Sequence, residues 1–126
     1  MMKKFNDLLY IICNSNELNV FDSTQQKVLR SVLFQDQNIT AIHITEKLFF
    51  YADHSNFIFA VKLTDLEVSK RANHQNQNME KKSMIGHSSW VLQLMSDERF
   101  LYSCSDDKSV MIWDLVSRRF PCDSNA

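Results

Sequence analysis

The stretch that decides the fold is Gly86-His87-Ser88-Ser89-Trp90-Val91-Leu92-Gln93-Leu94-Met95-Ser96-Asp97-Glu98-Arg99-Phe100-Leu101-Tyr102-Ser103-Cys104-Ser105-Asp106-Asp107-Lys108-Ser109-Val110-Met111-Ile112-Trp113-Asp114. Apolar runs over 90–95, 100–104 and 110–114 alternate with short polar segments rich in Asp and Ser. Runs of this length, punctuated by residues that hydrogen-bond their own backbone, predict short strands joined by tight turns.

The same pattern recurs upstream. Leu9–Asp22 and Phe49–Lys62 each read as an apolar strand, a polar turn and a second apolar strand, and each aligns with Leu101–Asp114 without a gap. Asp22 and Lys62 are 40 residues apart, and Lys62 and Asp114 are 52 apart. The excess of 12 is matched by the polar tract 71–82. With that insertion set aside the period is near forty, the signature of a four-stranded propeller blade. The sequence therefore predicts an all-β chain, a partial β-propeller of about two and a half four-stranded antiparallel blades. Residues 5–33 are expected to form a partial first blade that has lost its first strand, with strands near Leu8–Cys13, Leu18–Asp22 and Lys27–Leu33. Residues 38–69 form a second blade ending in a short edge near Leu66–Ser69, 70–83 a polar loop between blades, and 84–122 a third blade. Arg118–Cys122 is its frayed outer strand, where Pro121 suits an edge.

Gly86-His87, Trp90–Leu94, Leu101–Asp107 and Val110–Asp114 together resemble a full WD40 repeat in order and spacing. The first two units resemble it loosely: Phe21 and Val61 stand where the Trp belongs, and Asn38 precedes the second unit's first strand without a Gly-His pair. In an up-and-down blade the loop entering the first strand and the turn between strands two and three lie at one end. His87 and Asp107 therefore share an end. The resemblance implies a buried chain from Trp113 to Ser103, from Ser103 to His87 and from His87 to Asp107. A Ser, a His and an Asp in that order also resemble a hydrolase triad. A nucleophile needs exposure beside an oxyanion hole, however, and a Ser on a central strand beneath a Trp has neither.

The remaining composition narrows the function. A formal net charge of −1 lacks the basic excess of a nucleic-acid surface. Cys13, Cys104 and Cys122 form an odd set without C-x-x-C spacing, so neither a disulfide framework nor a structural zinc site is expected. His43, His54 and His74 lack ligand spacing, and no metal or cofactor is expected. The apolar stretch Leu8–Ile12 is too short for a membrane span, so a soluble chain in the cytoplasm, or alternatively the nucleus, is the expectation. With a single glycine in the chain, its turns are expected to rely on Asn14, Asn16, Asp53, Asn56, Asp106 and Asp107. The aromatic run Phe49-Phe50-Tyr51 is read as packing between blades, and Cys104 as a small core residue.

The expected function is protein–protein recognition without catalysis, within a larger or partner-completed propeller; open ends would also favour self-association. The expected contact residues are Ser88, Ser89, Trp90, Asp106, Lys108 and His54, at the end that carries His87. Trp90 could anchor a partner there or pack against the neighbouring blade. An alternative comes from Leu94, Asp97, Arg99 and Leu101, whose hairpin resembles those in propellers of F-box and TRAF-type ubiquitin ligases, which would make the chain part of a substrate receptor.

Overall fold

Eleven strands among the described residues follow one another up and down in a computed structural model that describes residues 1–13, 17–34, 38–66 and 81–116. The first sheet contains β1 (Met2–Phe5), β2 (Leu8–Ile12), β3 (Glu17–Asp22) and β4 (Lys27–Leu33) in that spatial order. The second contains β5 (Ile39–Ile44), β6 (Leu48–Asp53), β7 (Ile58–Lys62) and β8 (Lys81–Met84). The third contains β9 (Val91–Ser96), β10 (Phe100–Ser105) and β11 (Val110–Asp114). Every pairing is antiparallel between sequence neighbours. The sheets meet through their first strands, β1 against β5 and β5 against β9. This is the architecture of consecutive propeller blades.

Two expectations about the blades are corrected. The first blade keeps its first strand: Met2–Phe5 pairs with β2 through Met2↔Ile11, Lys3↔Tyr10, Lys4↔Leu9 and Phe5↔Leu8. Two lysines in a four-residue strand hide it from any apolar pattern, and only Lys3 and Phe5 are partly covered. The outer strand of the second blade is Lys81–Met84, paired as Ile58↔Met84, Phe59↔Ser83, Ala60↔Lys82 and Val61↔Lys81. Residues 63–66 instead form a helical turn whose Leu66 is buried, and 67–69 lie outside the described residues. Residues 81–83 of the expected inter-blade loop therefore belong to the second blade, and 70–80 lie outside the described residues. Lysines suit that edge because they discourage another strand from adding, and Lys81 Nζ also sits 4.4 Å from the Phe59 ring centroid. Arg118–Cys122 lies outside the described residues.

Strand alternation places two cores on opposite faces of the middle sheet. Phe49, Tyr51, Phe59 and Val61 face the first sheet and pack with Tyr10, Ile12, Leu18, Val20, Val32 and Phe34. Phe50, Ala52 and Ile58 face the third and pack with Met84, Val91, Leu94, Leu101 and Trp113. A sheet covered on both faces needs apolar residues in succession, which accounts for Phe49-Phe50-Tyr51. Tyr51 lies 4.6 Å from Phe34 and 5.1 Å from Phe59 between ring centroids. Burying one such side chain is worth about 1.5–3 kcal/mol.

The outer sheets each keep one face open. On the third sheet, Met95 and Val110 are exposed and Tyr102 and Cys104 half-buried. Cys104 is thus at the open face and not in the core. On the first, Met2, Val28 and Leu33 are exposed and Leu9, Ile11 and Phe21 half-buried.

The turns differ from the expected pattern. Among the described residues the left-handed positions are Asn6, Gln26, Asn56 and Lys108, so Asn56 alone of the described turn residues named above takes that conformation. Asp53 works through its side chain: its Oδ1 accepts from Ser55 N at 2.9 Å and also from the Ser55 hydroxyl. Asn14 and Asn16 lie outside the described residues. Gly86 serves close approach. A Cβ there would lie 2.7 Å from Met111 Sδ and 3.1 Å from Trp113 Cη2, so a side chain at this position would have to push Met111 aside and crowd the buried indole.

Candidate functional site

The turn joining β10 to β11 is built by short side chains. Lys108 N donates to Ser105 O at 3.1 Å with Lys108 in the left-handed region, and Asp107 N donates to Ser105 Oγ at 3.0 Å. The turn is tied to the loop before β9 by Asp106 N to Trp90 O at 2.9 Å and Ser105 Oγ to Ser89 O at 3.1 Å.

Beneath this turn runs the buried chain. Trp113 Nε1 donates to Ser103 Oγ at 2.8 Å, Ser103 Oγ lies 2.7 Å from His87 Nε2, and His87 Nδ1 lies 2.9 Å from Asp107 Oδ2. With a neutral imidazole, one proton arrangement satisfies all three contacts: Ser103 donates to Nε2, and Nδ1–H donates to Asp107. Asp107 collects further donors, Ser88 N at 3.0 Å on Oδ2 and Ser109 N at 2.9 Å with Ser109 Oγ at 2.5 Å on Oδ1. The Ser109 hydroxyl above all, then the Ser88 amide, His87 and the Ser109 amide, hold its carboxyl far below the ordinary aspartate range against the opposing effect of burial. Ser109 and the Ser88 amide went unremarked in the sequence, although a Ser two residues after an Asp is a recurrent turn pairing.

Ser103 is buried, and its hydroxyl is engaged by Trp113 and His87. The set therefore offers no accessible nucleophile, and its geometry is that of a clamp holding the entering loop on the blade.

Above the clamp, the candidate contact residues of two blades come together. Trp90 stacks on His54 of the neighbouring sheet, with ring centroids 4.2 Å apart and planes 5° from parallel. Trp90 still leaves 47% of its surface exposed. It thus packs against the neighbouring blade and also faces solvent. Ser88, Asp106 and Lys108 are exposed, and Ser89 and His54 half-buried.

Other histidines are accounted for individually. His43 Nε2 lies 2.7 Å from Ser96 Oγ, linking β5 to β9; burial, then the positive charge of Lys3, lowers its pKa. His74 lies outside the described residues. Among the described residues there is no cluster of three His, Cys, Asp or Glu that could hold a metal, and no helix long and apolar enough to cross a membrane.

Comparison with known proteins agrees with this geometry. Residues 79–114 match the family model for the WD domain, G-beta repeat. The nuclear distribution protein PAC1 of Eremothecium gossypii is 49% identical over 41 residues, covering 32% of this chain and 9% of that protein. PAC1 of Meyerozyma guilliermondii is 41% identical over 46 residues, covering 35% and 9%. The matched segments thus span less than a tenth of these relatives. Among solved structures, the computationally designed Ika8 protein superposes with a TM-score of 0.66 at 13% identity, over 94% of this chain and 34% of that one. A chain of the Mitotic Checkpoint Complex superposes with a TM-score of 0.65 at 21% identity, over 90% and 33%. The fold is that of a partial β-propeller. Residues 79–114 are similar to a single WD40 repeat.

Proposed function

We propose that this chain is a non-catalytic protein–protein interaction module whose partner contacts the end bearing His87, through Ser88, Ser89, Trp90, Asp106, Lys108 and His54. WD40 repeats generally serve as scaffolds for other proteins, and the buried Ser103 leaves the one triad-like set without a reactive group at the surface. The observation that carries the reading is Trp90, a large aromatic ring half open to solvent on a loop clamped from below. Rigid aromatic anchors ringed by polar groups are where interface energy concentrates.

Trp90→Ala is expected to abolish retention of partners by the immobilised chain. Losing the stack on His54 costs only about 0.5–1.5 kcal/mol, so the unfolding midpoint should fall by no more than several degrees. Undiminished retention by the folded variant would refute the role of this end.

The open faces of the first and third sheets are the other contact surfaces. Among the described residues no further sheet covers either face, whereas in a ring each blade is covered by the next. In the isolated chain these faces bring copies together, and sedimentation should show a mean mass that rises with concentration. A compact monomer at high concentration would contradict this. The free, exposed Cys13 and the half-buried Cys104 fit a reducing setting, the cytoplasm or the nucleus. The alternative as a ubiquitin-ligase receptor gains no support from the hairpin that suggested it, because the blade itself uses those residues. Asp97 Oδ1 accepts from Arg99 N at 2.9 Å and Phe100 N at 2.8 Å, Arg99 pairs with Asp114 at 3.0 Å, and Leu94 and Leu101 are core.

A further inference from the structure

The exposed end of the second and third blades has a definite chemistry. His54 covers one face of the Trp90 indole in a near-parallel stack, and 47% of Trp90 stays exposed. The face of an indole is its electron-rich surface and attracts cations, planar guanidinium groups especially. The bond from Asp106 N to Trp90 O, at 2.9 Å, fixes these two residues side by side. Among the described residues the exposed Asp106 carboxylate has no hydrogen-bond or ion-pair partner, whereas the neighbouring Asp53 and Asp107 carboxylates are occupied within their own turns. The turns 53–56 and 105–108 together carry three carboxylates, Asp53, Asp106 and Asp107, against one lysine, Lys108. The local field is negative, and an acidic ligand would meet it unfavourably.

We propose that the open face of Trp90 receives an arginine side chain from a protein partner, with the guanidinium stacked on the indole and hydrogen-bonded by the Asp106 carboxylate. This rests on the reading of this end as the partner surface and gives that partner a chemistry: a segment with an exposed arginine. His54 acts from beneath, holding the indole flat so that little rotamer freedom is lost on binding.

The test follows the indole N–H signals of the ¹⁵N-labelled chain, which has two tryptophans. The probes are acetyl-Gly-Arg-Gly-amide, the same peptide with uncharged citrulline for arginine, and acetyl-Gly-Glu-Gly-amide. The arginine peptide should shift the Trp90 signal saturably and leave that of buried Trp113 in place. Citrulline should bind roughly fivefold more weakly, as loss of a cation–π contact implies. Asp106→Asn should weaken the arginine peptide by about two- to fivefold, the range of an exposed ion pair. Added salt should weaken it as well. Equal binding of the citrulline peptide, stronger binding of the glutamate peptide, or an unmoved Trp90 signal would each overturn the assignment. The anchor role of Trp90 fails separately, if the Trp90→Ala chain retains its partners.

Discussion

Trp113→Ala is expected to destabilise the third blade by about 3–5 kcal/mol, the range for removing a large buried aromatic side chain. The residue is fully buried, in the cluster with Phe50, Met84, Leu94 and Leu101 that joins the second and third blades. Its removal opens a cavity at that seam and takes the indole donor from Ser103. Native domains hold only about 5–15 kcal/mol in total, so little of this blade should stay folded at physiological temperature. Trp113→Phe separates the two contributions. Phenylalanine keeps most of the packing and loses the N–H, and its cost should be about 1–3 kcal/mol, that of leaving a buried polar partner unsatisfied. Urea unfolding of the three proteins measures both steps. Equal losses for Ala and Phe would show that the hydrogen bond outweighs the packing, and a loss below about 1 kcal/mol for Ala would place Trp113 outside the core.

His87→Ala and Asp107→Ala are each expected to cost about 1–3 kcal/mol, because each strands groups that the other satisfies. The double variant should cost clearly less than the sum, since both changes break one chain. Additive losses would show that the two side chains act independently. Acid adds a second signature. The Asp107 carboxyl titrates in the folded chain below its ordinary value of 3.8, so the folded state favours the ionised form. Its contribution is fully present above that ordinary value and is lost as pH falls below about 4 toward the folded value. The wild type should therefore lose stability more steeply in acid than Asp107→Ala, and parallel acid profiles would contradict the role assigned to this carboxylate.

Much of the fold is legible in the residues. The interval between Leu9–Asp22, Phe49–Lys62 and Leu101–Asp114 identifies the repeat, and His87, Ser103, Asp107 and Trp113 stand at WD40 spacing because one chain of hydrogen bonds demands those groups at those strand positions. The middle sheet is equally readable, since burial on both faces writes itself as Phe49-Phe50-Tyr51. What escaped the sequence is whatever depends on partners distant along the chain. Met2–Phe5 pairs with the adjacent β2 but gains its packing from β5, far along the chain. Lys81–Met84 joins the second blade across a long insertion because Met84 fills the core and Lys81 caps aromatic rings at the edge. Local composition cannot register either reward. The site divides in the same way. That Trp90, His54, Asp106 and Lys108 share an end follows from repeat arithmetic, but the stack of Trp90 on His54, 36 positions away in the sequence, exists only once two blades pack. Ring against ring is a product of that packing.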